Sequence, residues 1–326
     1  MAVKNTASYL PKCLQSIRQQ GYDHWELIAV DDHSTDKSRD VLESFARSDH
    51  RIKVVDNEGE KLIPALKTGI KYAQGELVNR MDSDDYMPHD KIETLVNEWQ
   101  KYGMGYVIAG GTKHFSDEGE LGAGFERYDR WLNHVAQNGL YREELYRECV
   151  IPSHCWLMHR ADFDRIGGFE PEVYPEDYDL CFRMVLHGLT IVGIDKVLHY
   201  WRDRKDRISR TWDCYKDNRY YQLKTEYFCK IDRDPGRPLV LWGAGRNGKD
   251  LAKELIRLGL CFKWVCENSK KIGHNIYGVT LNDSSVISHC DEPQILVAVA
   301  SPADQETVDQ KLASRGMKRG YHYWFF

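Results

Sequence analysis

Apolar residues at Leu10, Cys13, Leu14 and Ile17 recur at i, i+3, i+4 and i+7, which predicts an amphipathic helix. A largely apolar run at 26–30 follows and predicts a strand. Val41, Leu42, Phe45 and Ala46 then share one helical face. The next strand is expected at 52–55, and Ile63, Leu66, Ile70 and Ala73 mark the next helix, closed by Gly75. A strand at 77–81, a helix carrying Ile92, Leu95, Val96 and Trp99, and a strand at 106–109 complete the first hundred or so residues. This alternation of strand and helix predicts an α/β fold with a mostly parallel, doubly wound sheet. Only Met1-Ala2-Val3 precede Lys4-Asn5 and the first helix, whereas a central parallel strand has about five or six residues. The first strand is therefore expected to be truncated and the printed start to be internal.

Between residues 110 and 148 the pattern loosens, with glycines at 119, 122 and 124 before a polar helical stretch. Regular structure is expected again at 155–158. Gly167-Gly168-Phe169 forms a turn, and a helix opens at Pro175-Glu176-Asp177-Tyr178-Asp179-Leu180 and runs through His187. Two short strands are expected at 190–194 and 197–201, then a Tyr-rich helix at 213–230. Asp232-Arg233-Asp234-Pro235-Gly236 has the composition of a linker. A new unit starts at Pro238: strand, glycine turn, helix through Leu258, strand at 262–266, hairpin around 276–281, strand at 295–300, helix, and a closing strand at 321–326. The expected domains are thus 1–232 and a Rossmann-like 237–326.

Composition narrows the class only slightly. The 326 residues carry a formal net charge of −5, which argues against a general nucleic-acid binder. No apolar run reaches the roughly 18 residues of a spanning helix, and no charged-then-apolar leader is visible, so neither a membrane span nor a signal peptide is expected. Nine cysteines without C-x-x-C pairs suit a reducing cytoplasm better than a disulfide framework or a zinc site.

The chemistry concentrates at two predicted strand ends. Met81-Asp82-Ser83-Asp84-Asp85 places three carboxylates within four positions behind an apolar run. Anions that close repel one another unless they are well solvated or share a cation. Asp-x-Asp offers hard oxygen ligands to a divalent metal that also holds substrate phosphates. For an isolated pair, a solvated Asp/Ser turn before a helix at about Pro88 is the better explanation. However, 25–30 also ends in acid, at Asp31-Asp32-His33-Ser34-Thr35-Asp36. Ligands in open α/β sheets bind outside the carboxyl ends of strands, so the two clusters read as one site.

Asn5, Tyr9-Leu10, Cys13-Leu14-Gln15-Ser16-Ile17, Gln20, Trp25-Glu26-Leu27-Ile28, Val30-Asp31-Asp32, Ser34-Thr35-Asp36 and Arg80-Met81-Asp82-Ser83-Asp84-Asp85 together resemble the family 2 glycosyltransferases. Gly167-Gly168-Phe169 and Glu176-Asp177-Tyr178-Asp179-Leu180 with Arg183 continue the resemblance in order, over roughly residues 1–230. It implies a GT-A fold, a nucleotide-sugar donor, a divalent metal (Mn or Mg) and inversion at the anomeric carbon.

Residue by residue, the resemblance puts Asp31 on the uracil or ribose of the donor, with backbone near Ala2 and Lys4 flanking the base. It puts Asp82 and Asp84 at the D-x-D position, the second nearest the metal. Asp85 has two readings, a further ligand or an outward cap on the next helix. Asp177 falls at the catalytic base, although acids also favour a helix first turn. Gly168 and Phe169 would line the sugar pocket, or else form an ordinary turn with a core Phe. In Trp201-Arg202-Asp203-Arg204, Arg204 replaces a His that often stands there; Arg cannot ligate a metal but clamps a pyrophosphate. A solvated basic turn or a patch against anionic lipid is its other reading.

Gly243, Gly245 and Gly248 form Gly-x-Gly-x-x-Gly between a strand and a helix, and Glu267 ends the next strand. Two readings stand: a second nucleotide site, or glycines that pack helix on strand. The function expected is transfer of a sugar from a UDP-sugar to a glycan or lipid-linked acceptor in polysaccharide biosynthesis. The expected location is the cytoplasm, at the inner face of the membrane through peripheral contact, with a homo-oligomer formed through the C-terminal unit. The rivals are a nucleotidyltransferase, an inactive transferase acting as a binding scaffold, and, on the 243–248 glycines alone, an oxidoreductase.

Overall fold

The computed structural model describes residues 1–205, 207 and 219–326. They fall into two units, one of Met1–Leu140 with the described residues from 150 to 207, and one of Tyr141–Cys149 with 219–326.

The first unit contains β1 (Ala2–Val3), α1 (Leu10–Arg18), β2 (Leu27–Asp31), α2 (Ser38–Ser48), β3 (Ile52–Asp56), α3 (Leu62–Tyr72), β4 (Leu77–Val78), α4 (Lys91–Tyr102), β5 (Tyr106–Phe115), α5 (Ala123–Asn138), β6 (Trp156–His159), α6 (Arg160–Arg165), α7 (Glu176–Leu186) and β7 (Thr190–Arg202). β1, β2 and β3 form one parallel sheet in that order. The other sheet runs β4-β6-β5-β7, with β6 antiparallel to both neighbours and β5 parallel to β7. The helical periodicity translates directly into packing. Leu10, Cys13, Leu14 and Ile17 of α1 are all buried, in one core with Leu27 and Ala29 of β2 and Leu42 of α2. Leu95 and Val96 of α4 pack with Ile108, Leu157 and Leu198 of the second sheet.

Three expectations are corrected here. The strand at 77–81 is paired only over Leu77 and Val78; the Asn79 side-chain amide instead donates to the Trp156 carbonyl. The loosened stretch after residue 110 begins as a continuation of β5 to Phe115, paired with β7 throughout. Its glycines are there for clearance: a Cβ at Gly110 would sit 2.6 Å from Leu198 Cδ1, and one at Gly111 would sit 3.0 Å from the Lys196 carbonyl. The strands expected at 190–194 and 197–201 are one strand, β7, whose register shifts opposite those glycines.

The second unit contains α8 (Arg219–Ile231), β8 (Leu239–Trp242), α9 (Arg246–Arg257), β9 (Lys263–Val265), β10 (Asn275–Ile276), β11 (Val279–Asn282), a 3₁₀ turn (Ser284–His289), β12 (Gln294–Val297), α10 (Pro302–Ala313) and β13 (Tyr323–Phe325). Its sheet runs β10-β11-β9-β8-β12-β13, parallel except for the β10–β11 hairpin. That hairpin turns through Tyr277 and Gly278, both at positive φ, the geometry a two-residue hairpin needs.

The two units do not divide at 232–237. α8 and Tyr141–Cys149 belong to the second unit, where Phe228 packs on Trp324 and Phe326 and Tyr146 stacks on Phe326. The linker-like Asp232 accepts hydrogen bonds from Arg142 (2.7 Å) and Tyr146 (2.6 Å), so polar composition there marks a bonded corner. The expected helix residues 213–218 lie outside the described residues. Among the described residues no helix is long and apolar enough to cross a membrane.

Candidate functional site

The loops that leave β1, β2 and β4 at their carboxyl ends converge. Thr6 donates its N–H to Ser38 Oγ (2.8 Å) and its hydroxyl to Ser83 Oγ (3.1 Å), so one residue of the loop after β1 touches both acidic loops. Asn5, at φ 53°, donates its N–H to Ser34 Oγ and accepts from the Thr35 N–H through Oδ1. The expectation that the two acidic clusters form one site has this geometric basis.

Asp31 ends β2, is buried, and its Oδ1 accepts from the Ser34 N–H at 3.4 Å. Ala2 is half-buried beside it, paired opposite Val30. Lys4 is exposed and reaches the neighbouring Asp32, at 2.9 Å from Oδ2, while Asp32 Oδ1 accepts from Asn57 Nδ2 and the Lys61 N–H.

In the second cluster, Asp82 lies among Arg80 Nε at 2.9 Å, Ser153 Oγ at 3.2 Å and His154 Nδ1 at 3.6 Å. Burial disfavours its charge, but Arg80 and His154 outweigh that and hold the carboxyl well below the usual range. Asp84 is partly exposed. Its Oδ2 accepts from Arg204 Nε at 2.8 Å and its carbonyl from Arg202 Nε at 2.5 Å. Arg204 therefore does sit at the acidic site, on Asp84.

Asp85 does not turn outward as a cap. It is 1% exposed, accepts from the Arg202 N–H at 2.7 Å, and lies 2.9 Å from His199 Nε2. α4 starts at Lys91 with Asp90 as N-cap, without a side-chain cap. Burial, then the charges of Asp84 and Asp82, push the Asp85 carboxyl well above its ordinary range.

Behind Asp85 lies a group that sequence patterns did not single out. Lys91 is fully buried; its Nζ donates to the His154 carbonyl (2.7 Å) and faces His199 Nδ1 at 3.1 Å. With Lys91 as donor, Nδ1 of His199 accepts and its Nε2–H is given to Asp85. The rings of His154 and His199 stack with centroids 3.5 Å apart. Burial lowers both imidazoles, His154 to about 4 and His199 well below its usual value, so the stacked pair is neutral near pH 7. One signal was present in sequence: Lys91 opens the helix beside its apolar stripe, where a solvated lysine has no reason to be buried.

On the other flank, α7 carries Glu176 and Asp177 at its first turn. Arg80 Nη1 donates to Glu176 Oε1 at 2.8 Å, both groups buried. Burial opposes the Arg80 charge, but Asp82, Glu176 and Asp177 together raise its pKa further, so Asp177 lies within the same field. Asp177 is half-buried, and its Oδ1 accepts from the Tyr178 N–H. The Gly167-Gly168-Phe169 turn is braced by the buried Arg183, which donates to the carbonyls of Ile166 and Gly168 and to Asp179. Gly168 has φ +47° and a Cβ there would meet Phe163 at 2.6 Å, so glycine is required by packing. Phe169 is buried against the Phe163 ring, at 4.9 Å between centroids.

The donor set fits a divalent cation. Asp82, Asp85 and His154 offer ligand atoms within 4.8 Å of one another, and His154 Nε2 is buried without a hydrogen-bond partner. Asp84 is not in that trio. Carboxylate oxygens crowded enough to push the Asp85 carboxyl well above its ordinary range are what a hard cation relieves.

In the second unit, a Cβ at Gly248 would lie 2.0 Å from the Gly243 carbonyl oxygen, and one at Gly243 would lie 2.7 Å from the Ala298 carbonyl oxygen. Gly245 is exposed with nothing near its Cβ position. Glu267 pairs with Lys311 at 2.8 Å. Packing accounts for Gly243 and Gly248.

Residues 1–167 match the model of glycosyl transferase family 2. Among curated relatives, the chain is 34% identical over 220 residues to glycosyltransferase GlyG of Streptococcus pneumoniae, covering 64% of this chain and 71% of GlyG. Against two further curated relatives the chain spans only 31% and 59% of their length. Among solved structures, it superposes on S. aureus TarS residues 1–349 in complex with UDP with a TM-score of 0.52 at 18% identity, covering 78% of this chain and 69% of the other. On the mannosyltransferase PcManGT of Pyrobaculum calidifontis, in complex with GDP-Man and Mn2+, the TM-score is 0.54 at 18% identity, covering 72% and 64%. At these identities the two structures speak for the fold.

Proposed function

Because the chain belongs to glycosyl transferase family 2, we propose that it moves a sugar from a nucleotide-sugar donor, a UDP-sugar first of all, onto a hydroxyl of a glycan or lipid-linked acceptor. The observation that carries this reading is the convergence of the Asp31 and Asp82–Asp84 strand ends on the Thr6 loop. Structural neighbours captured with UDP and with GDP-Man support a nucleoside-diphosphate ligand for this fold.

Asp31, with the backbone of Ala2 and Lys4, holds the base and ribose. Asp82 and Asp84 face the diphosphate, and Asp82 with Asp85 and His154 would hold a divalent cation, manganese or magnesium, for which the Mn2+ in the PcManGT complex is the precedent. Such a cation, when bound, offsets the negative charge that grows on the leaving nucleotide. Arg204, already on Asp84, swings to the pyrophosphate when the donor enters. Asp177 takes the acceptor hydroxyl proton as that oxygen bonds to the anomeric carbon from the face opposite the breaking carbon–oxygen bond. The electron pair of that bond leaves on the nucleoside diphosphate, and the anomeric centre inverts. In the second unit, Gly243 and Gly248 serve packing.

A panel of UDP-, GDP- and other nucleotide sugars, scored for release of free nucleoside diphosphate with and without manganese, tests the proposal. Metal-dependent release from one donor class supports it. Nucleotide binding without release, across the panel and a range of acceptors, favours a scaffold.

A further inference from the structure

Where β5 and β7 run side by side beyond their glycines, the register sets His114 opposite Trp201. Their rings stack, with centroids 4.5 Å apart and planes at 26°. Trp201 also meets the ring of His154 edge-on at 4.8 Å. One ring therefore separates His114 from the acidic site. α5 packs across both strands and brings Phe125 and Tyr128 to 4.9 Å and 6.0 Å from the His114 ring.

His114 carries polar bonding that a core ring has no use for. Asp129 on α5 accepts its main-chain N–H through Oδ2 at 2.7 Å and lies 2.5 Å from Nδ1 through Oδ1. One carboxylate thus fixes the rotation of the imidazole and commits Nδ1. Nε2, on the other side of the ring, has no hydrogen-bond partner among the described residues, although His114 is only 3% exposed. A phenylalanine would stack on Trp201 equally well and leave no polar nitrogen unpaired. Phe125, Tyr128 and Trp201 are each half-buried, so the group reaches the protein surface.

A sugar ring answers both halves of this arrangement. Its C–H faces are apolar and suit aromatic walls, and its hydroxyls both donate and accept, so one of them meets Nε2 in either protonation state. An alkyl chain would cover the rings and leave Nε2 without a partner. We propose that His114 Nε2, with the rings of Trp201, Phe125 and Tyr128, forms the acceptor subsite and takes a pyranose unit of a glycan. This rests on the transferase reading above and assigns the sugar part of the acceptor to named residues. Asp129 is then a positioning residue, since it acts only through His114.

The test compares the parent chain with His114→Asn and Phe125→Ala. The asparagine amide stands where Nδ1 stands, so it still donates to Asp129 and removes only Nε2. The probes are the methyl glycosides of glucose, galactose, mannose and N-acetylglucosamine, with decanol as the alkyl control, read by saturation-transfer NMR. UDP and GDP affinities are read on the same samples by calorimetry. At least one glycoside is expected to bind the parent and to stay bound in the presence of decanol. Each variant should weaken that glycoside by about five- to tenfold with nucleotide affinity unchanged. A parent that binds no glycoside overturns the proposal. So does displacement of the glycoside by decanol, or parental glycoside affinity in whichever of the two variants folds. A parent that binds glycosides through His114 but no nucleoside diphosphate supports the sugar subsite and overturns the transferase reading instead.

Discussion

Arg80 bridges the acidic strand end and the helix that carries the candidate base: its Nη1 donates to Glu176 Oε1 at 2.8 Å while its Nε reaches Asp82 at 2.9 Å. Both carboxylates are held by one guanidinium that is 8% exposed. Removing the cation leaves a buried carboxylate uncompensated, a loss of about 3–5 kcal/mol where it has been measured. Arg80→Met should therefore lower the unfolding midpoint sharply, and Arg80→Met with Glu176→Met should recover much of the loss. Chemical denaturation of the two variants checks this; equal midpoints for single and double variants would mean that Glu176 does not depend on Arg80.

Asp82→Asn and Asp84→Asn each remove a carboxylate charge from the acidic cluster. Both should abolish manganese-dependent binding of UDP in calorimetry, while the fold, stitched by Arg202 and His199 to Asp85, remains. Unchanged affinity in both variants would reduce the cluster to a structural knot.

Asp177→Asn keeps the shape of the side chain but removes the proton acceptor. Nucleotide affinity should hold, while turnover falls by about 10²–10⁴, because the base acts only in the transition state. Turnover equal to that of the parent chain would reassign Asp177 to the helix start.

The glycine turn of the second unit separates two roles by two substitutions. Gly248→Ala drives a Cβ onto the Gly243 carbonyl and should destabilise by about 1–3 kcal/mol or more. Gly245→Ala, at φ −80° with open space around it, should leave the melting temperature unchanged. A nucleotide panel that raises the melting temperature of the parent chain but not of Gly245→Val would restore the phosphate reading.

Thiol reactivity offers a map of burial around the site. Cys155 is fully buried, which pushes its thiol up to about 12, and burial also pushes Cys13, beside the carboxylates of Asp85 and Asp84, well above its usual value. Cys261 is exposed. Alkylation of the native protein followed by mass spectrometry should label Cys261 first and Cys13 and Cys155 only after unfolding, since the thiolate is the reactive form.

Periodicity and strand-end chemistry together determined a good deal from sequence alone. Helical spacing identified the buried faces of α1, α3 and α4, because burial of an apolar stripe is a local property repeated every three to four residues. The acidic ends after β2 and β4 were legible because two strands stop in carboxylates at the end of the sheet where ligands bind. Tertiary structure alone decided the rest. Whether Asp85 faces out as a cap or in as a partner depends on His199, 114 positions away, and on Lys91 behind it. The long β5–β7 pairing was hidden because Gly110 and Gly111 look like loop residues until Leu198 and the Lys196 carbonyl are seen against them. The boundary at 232 misled because Asp-Pro-Gly composition reports solvation, whereas Arg142 and Tyr146 hydrogen-bond Asp232 from a distant stretch of chain. Local pattern determines which residues want to be buried; which distant partner satisfies a buried charge or fills a glycine's clearance is settled only when the chain has folded, since those contacts carry no periodic signature.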